Sequence, residues 1–320
     1  MTRKNQKRFE VIHPDCGAVD VGAGEHLAAV DPTKCDDPVR RFSTFTDDLH
    51  AMADWFESMG VKMVAMEATG VYWIPLFEIL DRRGFEVYLV NSRATRQITG
   101  RKSDVLDCQW ILQLMTHGLL RGAFRPADDV CSLRSLVRQR GNKVRDQAKA
   151  LNRMQKALVQ MNIQLAQVIS NIAGVTGMSI LRAIVDGERD PEVLALLRDK
   201  RVKADQATVA RSLHGNWRAE HLHALSQELA AYDFLEKQIG ECDQAIAYAL
   251  ERLPVLQAQV IPPSKSLRNP HRSNEQQLIL HRALNKIMGV DLTAIPTIGI
   301  DTALVLASEL GPDLSRFPTS

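Results

Sequence analysis

The stretch Lys102-Ser103-Asp104-Val105-Leu106-Asp107 places two carboxylates three positions apart at the point where a helical pattern begins. Residues at this spacing lie on the same face of a helix. Apolar residues of the following segment, 105–115, fall mostly on the opposite side, so such a helix can pack inward while its acids face outward. The stretch therefore predicts a helix whose first turn presents Asp104 and Asp107 together.

Two further acids interrupt or end apolar stretches that have the pattern of buried strands. Asp20 lies inside the segment 16–22, and Glu67 closes the apolar segment 61–67. An isolated carboxylate is costly to bury unless it is paired or coordinates a cation. Together with Asp104 and Asp107, these acids predict a site for a hard divalent metal, which prefers oxygen ligands.

The order of elements around these acids is that of an α/β fold. Three strand-like segments joined by turns predict an antiparallel meander, and alternating helical and strand patterns follow up to the helix at Asp104. In such a layered arrangement the strand ends and the helix start converge at one rim of the sheet. The predicted strands are 17–21, 26–30, 39–45, 61–66 and 85–90, with helices at 47–59 and 72–83.

This order is typical of an RNase H-like fold, and its acids lie in recognisable motifs. The stretch Glu67-Ala68-Thr69-Gly70 leads to Tyr72-Trp73, and Lys102-Ser103-Asp104 leads to Asp107. With Asp20, these motifs resemble the DEDD transposases of bacterial insertion sequences, the IS one-ten family. The resemblance extends to Gly187-Glu188-Arg189-Asp190-Pro191 and to Ala294-Ile295-Pro296-Thr297-Ile298-Gly299.

The resemblance implies a DNA transposase that cleaves and exchanges strands. Its N-terminal domain would be similar to the Holliday-junction resolvase RuvC and would bind Mg²⁺, or Mn²⁺, through Asp20, Glu67, Asp104 and Asp107. These four acids would then be both catalytic and metal-binding residues. A serine in a C-terminal transposase domain would act with them, and a structured guide RNA would direct the reaction.

The acids also have a simpler interpretation that does not involve metal. Asp104 is a good helix N-cap and Asp107 a good first-turn acid, while Glu67 and Asp20 could be a loop and a turn residue. Each residue alone fits that interpretation. The coincidence of four acids at the expected places of one fold favours metal binding, and paired metal ions stabilise the in-line displacement at a phosphodiester.

Basic residues beside the acids and along a later helix predict contact with nucleic acid. Arg93, Arg96, Arg101 and Lys102 precede the acid pair at Asp104, where cations could hold phosphate. A basic run with the single acid Asp146 follows between residues 134 and 156, and this excess favours DNA or RNA over a merely solvated helix face. The candidate nucleic-acid-binding residues in that run are Arg138, Lys143, Arg145, Lys149, Arg153 and Lys156.

Two heptad repeats predict coiled-coil helices after the α/β domain. One runs from Val130 to Ile172 and is interrupted by Arg140 and Gln147, and the second runs from Leu225 to Leu253. The two helices could fold back on each other, or pair between subunits as a homo-oligomer, dimer or tetramer. The predicted domains are residues 1–127 (RuvC-like), 128–253 (helical), 254–285 (a proline-containing linker) and 286–320.

The segment 286–320 resembles the start of the family's helix-hairpin-helix transposase domain, with Thr297 where glycine is expected. Such a hairpin would offer backbone N–H groups to phosphate, whereas a simple turn between core helices has a similar pattern. The family continues past a motif like Ser315-Arg316-Phe317-Pro318, and its nucleophilic serine lies in that continuation. We therefore expect this chain alone to be inactive in strand exchange. The alternatives are a junction-resolving nuclease that uses water, or a non-catalytic nucleic-acid-binding remnant.

Composition sets looser limits. The formal net charge of +2 and pI of about 8.3 neither require nor exclude a polyanion partner. Five cysteines without a C-x-x-C pair predict reduced thiols in a cytoplasmic bacterial protein. The basic N-terminus has no apolar core after it, and no apolar run is long enough to span a membrane.

Overall fold

The computed structural model describes residues 10–91, 104–256, 274–315 and 317, and for residues 104, 274 and 275 it describes the backbone alone. The chain divides into two compact units, Met1–Arg125 and Pro126–Ser320. The division lies close to the boundary expected after residue 127. The first unit is an α/β unit, and the second is helical throughout its described part.

The α/β unit is built on a mixed five-stranded sheet of order β3-β2-β1-β4-β5. Strand β1 is antiparallel to β2, and β2 to β3, whereas β1 and β4, and β4 and β5, are parallel. Its described strands are β1 (Cys16–Val21), β2 (Glu25–Val30), β3 (Val39–Ser43), β4 (Met63–Glu67) and β5 (Glu86–Val90), and its described helices are α1 (Thr46–Ser58), α2 (Trp73–Arg82) and α3 (Asp104–Thr116).

Helices cover both faces of the sheet, and the alternation of side chains along each strand decides which face a residue joins. Val19 of β1 and Met66 of β4 are buried with α1 and α2 in one core. Ala18 and Ala65, each one residue earlier, are buried with Cys108 and other residues of α3 in a second core. The α/β prediction is therefore confirmed. Within β1 and β4, residues that alternate with Val19 and Met66 are on the face that α3 covers.

The helical unit contains two long helices and several short ones. Its described helices are α4 (Asp128–Gln160), α5 (Val175–Val185), α6 (Pro191–Ala195), α7 (Gln206–Ser212), α8 (Ala219–Glu251), α9 (Asn274–Met288) and α10 (Ile300–Leu310), with 3-10 turns at Leu165–Gln167 and Leu292–Ala294. No helix in the described ranges is long and apolar enough to cross a membrane.

Helices α4 and α8 pack antiparallel within one chain. Arg153 near the end of α4 meets Glu228 near the start of α8 at 3.4 Å, and Arg252 just after α8 lies 3.9 Å from Asp129 at the start of α4. The apolar seams of the two heptad repeats are therefore buried against each other and against shorter helices of the same unit. Supercoiling of the pair stays a prediction.

Two predicted boundaries in this unit are wrong. The first heptad helix does not run to Ile172, because α4 ends at Gln160 and Asn162 takes a left-handed φ of 58°. The backbone N–H of Gln164 then bonds to the carbonyl of Ser212 at 2.7 Å, which directs the chain away from the helix axis. Residues 274–285 of the expected linker form most of α9, since their apolar side chains pack into the core with α10.

Candidate metal centre and nucleic-acid interface

Asp20 and Glu67 lie at the carboxyl ends of two neighbouring parallel strands. Val19 of β1 is the Cα partner of Met66 of β4, and each acid is the next residue along its strand. Asp20 lies two residues after Ala18 and Glu67 two residues after Ala65, and side chains at this spacing share a face of the sheet. Both acids are therefore on the face that α3 covers. Both are half-buried. The fold therefore gathers two carboxylates at one edge and on one face.

Helix α3, which covers the same face of the sheet, carries Asp107. Cys108, its neighbour, is fully buried, and its Sγ lies 3.1 Å from the carbonyl oxygen of Leu27 and 3.5 Å from that of Ala18. These contacts seat the first turns of α3 beside the end of β1, and Asp107 there is half-buried. The backbone of Asp104 begins the helix, as predicted, but its side chain lies outside the described part of the structure.

The thiol of Cys108 is neutral in this environment. Burial raises its pKa to about 12, and the negative charge of Asp20 acts in the same direction. A neutral S–H can donate its one hydrogen to either of these carbonyl groups, whereas a thiolate could not donate at all. Cys108 is thus a neutral residue that packs and forms hydrogen bonds against the sheet. It adds no negative charge near Asp20.

A tight turn follows Glu67. The Thr69 side-chain hydroxyl donates to Oε1 of Glu67 at 3.1 Å, and the Thr69 backbone N–H bonds to the Glu67 carbonyl at 3.0 Å. Gly70 takes a φ of 56°, which glycine adopts without steric cost. Sequence reasoning assigned no role to Thr69; its place two residues after Glu67 in the recognised motif was the available signal.

The donor set fits a hard divalent cation, because carboxylate oxygens are the ligands that Mg²⁺ prefers. Among the side chains of residues 10–91, 105–256, 276–315 and 317, however, no group of three or more His, Cys, Asp or Glu is arranged to hold a metal ion. The position of the Asp104 carboxylate is needed to complete the predicted set. Metal binding by the four acids therefore stays a prediction.

The predicted nucleic-acid-binding residues divide into two groups. Arg93, Arg96, Arg101 and Lys102 lie outside the described residues. Those on α4 are exposed or half-buried, and several are engaged with polar neighbours. Three of them form ion pairs: Arg138 with Glu309 at 2.8 and 2.9 Å, Lys149 with Asp146 at 2.9 Å and Arg153 with Glu228 at 3.4 Å. Arg145 bonds to the side chain of Asn142. Lys143 is half-buried and Lys156 is exposed.

Arg140 has a different environment from the other cations of α4. Its side chain is 7% exposed and bonds to Asp243 of α8 at 2.6 Å, and Asp301 of α10 lies 3.4 Å from its Nη1. It occupies a seam position of the heptad repeat, so the apparent interruption of that repeat is a buried ion pair. Arg140 is a structural residue, although the sequence placed it in the basic run.

Residues 17–163 match the family model of the DEDD transposases of the IS110 insertion sequences, whose description is transposase. The matched segment contains the whole described sheet except its first residue, all of α3 and all of α4. This part of the chain is therefore similar to transposases. Within that class, residues 17–163 resemble the IS110-type DEDD enzymes, which confirms the resemblance seen in the sequence. No curated protein matches the chain.

Proposed function

We propose that the α/β unit is the DNA-cleaving centre of this transposase and that Asp20, Glu67, Asp104 and Asp107 hold Mg²⁺ or Mn²⁺. The observation that supports the proposal is that Asp20 and Glu67, both half-buried, end adjacent parallel strands on the sheet face that α3 covers, and that α3 carries the half-buried Asp107. Partly desolvated like charges repel, and a bound cation offsets that repulsion. A bound divalent ion would supply electrostatic stabilisation of the phosphate undergoing displacement.

The protein's own contribution is to hold the acids in place. Strands β1 and β4 fix Asp20 and Glu67 relative to each other through the register of the parallel pair. The contacts of Cys108 with β1 and β2 hold the first turns of α3, which carry Asp104 and Asp107. This arrangement is rigid, because each acid is carried by a regular element rather than a loop.

Metal-dependent stabilisation tests the site directly. We expect Mg²⁺ to raise the melting temperature of the wild-type chain, because a ligand that binds only the native state stabilises it by about 2.7 kcal/mol at a hundred times its Kd. The double variant Asp104→Asn/Asp107→Asn should show no such shift. A matched control is Asp128→Asn/Asp129→Asn, which removes two acids from the first turn of α4. The proposal fails if the shift survives in the Asp104/Asp107 variant.

We further propose that the basic side of α4 binds the phosphates of DNA or of a structured guide RNA. The support is the run of exposed and half-buried cations from Arg138 to Lys156. Their ion pairs do not oppose this role, since an exposed pair contributes only about 0 to 1 kcal/mol and phosphate can replace the acid. The four cations outside the described residues, Arg93, Arg96, Arg101 and Lys102, belong to the same proposal.

The salt dependence of binding measures this contact. Replacing Arg138, Arg145, Lys149 and Arg153 by Gln should reduce the log–log salt slope for duplex binding by about 3 to 4, because each lost phosphate contact removes about 0.9. A control variant replaces four exposed cations elsewhere in the unit, Lys200, Arg201, Lys203 and Arg211, and should keep the slope. Equal slopes for wild type and the α4 variant would show that the run is a solvated face.

A second candidate function is a junction-resolving nuclease that uses metal-activated water. One observation favours it: all four acids belong to the α/β unit, and water needs no protein nucleophile. Metal-dependent hydrolysis of branched DNA that is lost in Asp104→Asn, without a covalent protein–DNA adduct, would support this route. A covalent adduct on a denaturing gel would support the serine route of the family.

Further partners belong to the proposal as well. In the described part, the seams of α4 and α8 are buried within one chain, so a dimer or tetramer would use the exposed faces of these helices rather than the seams. The turn between the second 3-10 segment and α10, where Thr297 has a φ of 71°, is the candidate helix-hairpin-helix contact with DNA. A Thr297→Gly variant would relieve the left-handed strain there.

A further inference from the structure

We propose that Thr69 is a positioning residue that holds the carboxylate of Glu67 in the orientation needed for metal binding. The inference rests on the proposed metal site and adds a residue to it. Thr69 Oγ1 lies 3.1 Å from Oε1 of Glu67, and both side chains are half-buried. Thr69 does not ligate the metal in this proposal; it acts through Glu67.

The backbone around Thr69 is fixed independently of its side chain. On its N-terminal side, the Ala68 N–H bonds to the carbonyl of Val90 in β5 at 2.9 Å. On its C-terminal side, the Tyr72 N–H bonds to the Thr69 carbonyl at 3.3 Å, and the Trp73 indole N–H bonds to the Gly70 carbonyl at 3.2 Å. Removing only the hydroxyl should therefore leave the turn in place.

The hydroxyl matters because a glutamate side chain has several rotatable bonds. Glu67 ends its strand, and ordering a Glu side chain costs conformational entropy when the ligand binds. A donor on one carboxylate oxygen restricts the rotation of the group before the metal arrives. Hydrogen-bond partners behind metal-ligating carboxylates have this effect in general, and their loss weakens metal binding.

The same unit offers a matched control with the same spacing. Thr33 donates its hydroxyl to Oδ1 of Asp31 at 2.8 Å, again two residues earlier in the chain. That pair is exposed and follows β2 at the opposite end of the sheet, because β2 is antiparallel to β1. Thr33→Val therefore removes an equivalent hydrogen bond that has no part in the proposed site.

The experiment is a Mn²⁺ titration of the full chain followed by the EPR signal of unbound Mn²⁺. Thr69→Val keeps the shape of the side chain and should weaken Mn²⁺ binding by about 10-fold or more, whereas Thr69→Ser and Thr33→Val should stay within about 2-fold of wild type. Glu67→Gln should abolish binding at the site. Melting temperatures without metal show whether each variant is folded, and Thr69→Ala provides a second hydroxyl deletion if the valine variant does not fold.

The outcomes separate this inference from the metal site itself. Wild-type affinity in Thr69→Val, with binding lost in Glu67→Gln, would overturn the role of Thr69 and leave the metal site standing. A loss in Thr69→Val that Thr69→Ser does not restore would also overturn it, because the hydroxyl would then not be the cause. No Mn²⁺ binding by the wild-type chain would overturn both proposals.

Discussion

Charged side chains lie close to apolar cores in both units, but in two different arrangements. In the α/β unit Asp20 and Glu67 are half-buried at the ends of adjacent parallel strands, and Asp107 is half-buried on the helix that covers the same face. In the helical unit Arg140 and Asp243 are each about 5% exposed and bond to each other in the middle of the helix pair. The buried pair of Arg140 and Asp243 serves the fold, whereas the half-buried acids of the α/β unit are the ligands of the proposed metal site.

The largest expected effect comes from breaking the buried pair. Arg140→Met leaves Asp243 buried without its guanidinium, so we expect a loss of about 3 to 5 kcal/mol in the free energy of unfolding of the helical unit. Amide hydrogen exchange of α4 and α8 in urea measures it. The double variant Arg140→Met/Asp243→Leu should recover most of that loss, because it removes both charges.

Lys149→Met is the control for this prediction. It breaks the exposed pair with Asp146, where both side chains are more than half exposed, and should change stability by less than about 1 kcal/mol. The comparison between the two units would break down if Arg140→Met were no more destabilising than Lys149→Met.

A smaller effect concerns His26, a buried titratable group in the α/β unit. Its side chain is 1% exposed, and the structure shows no partner for Nδ1 among the residues it describes. Burial lowers its pKa. The unfolded chain therefore binds the proton more tightly, and stability falls as pH drops below the unfolded pKa of about 6.5, by at most about 1.4 kcal/mol per pH unit.

Thermal unfolding between pH 7 and pH 5 tests this prediction. His26→Phe should remove that part of the pH dependence, while His50→Gln, at an exposed position of α1, should leave it unchanged. Identical pH profiles for wild type and His26→Phe would show that this unit tolerates a protonated group in its core, which would weaken the contrast with the paired charges of the helical unit.

The smallest effect has the opposite sign. Asp20→Asn removes one of several like charges at the sheet edge, so without metal we expect a gain of about 0.5 kcal/mol in stability. The same variant should lose the stabilisation by Mg²⁺. Differential scanning fluorimetry with EDTA and then with Mg²⁺ measures both changes. Destabilisation by Asp20→Asn in EDTA would mean that Asp20 serves the fold, as Arg140 does.

The sequence predicted the strands and helices of the α/β unit well because their periodicity is local. Alternation fixes β1 and β2, and spacings of three and four fix α1. The sequence also predicted that Asp20 and Glu67 would lie at the same edge of the sheet. The parallel pairing of β1 with β4 places both acids at one end of adjacent strands. The complete four-acid centre stays a prediction.

Local periodicity failed where tertiary contacts decide the outcome. The heptad pattern continues past Gln160, but the bond from Gln164 to Ser212 redirects the chain, and no local pattern records it. Arg140 likewise looked like an interruption of the heptad repeat, because its partner Asp243 lies on another helix, far away in the chain. The sequence did not single out Thr69, because a threonine in a turn has many uses; its hydrogen bond to Glu67 becomes visible only in the structure.

The pairing of β1 with β4 also has a consequence for how the protein acquires its activity during synthesis. These strands are separated in the chain by β2, β3 and α1, which can form early because their contacts are local, whereas the parallel pair must wait for a long loop to close. Asp107 arrives later still, with α3. A nascent chain on the ribosome would thus complete the pairing of β1 with β4 before Asp107 joins the folded unit.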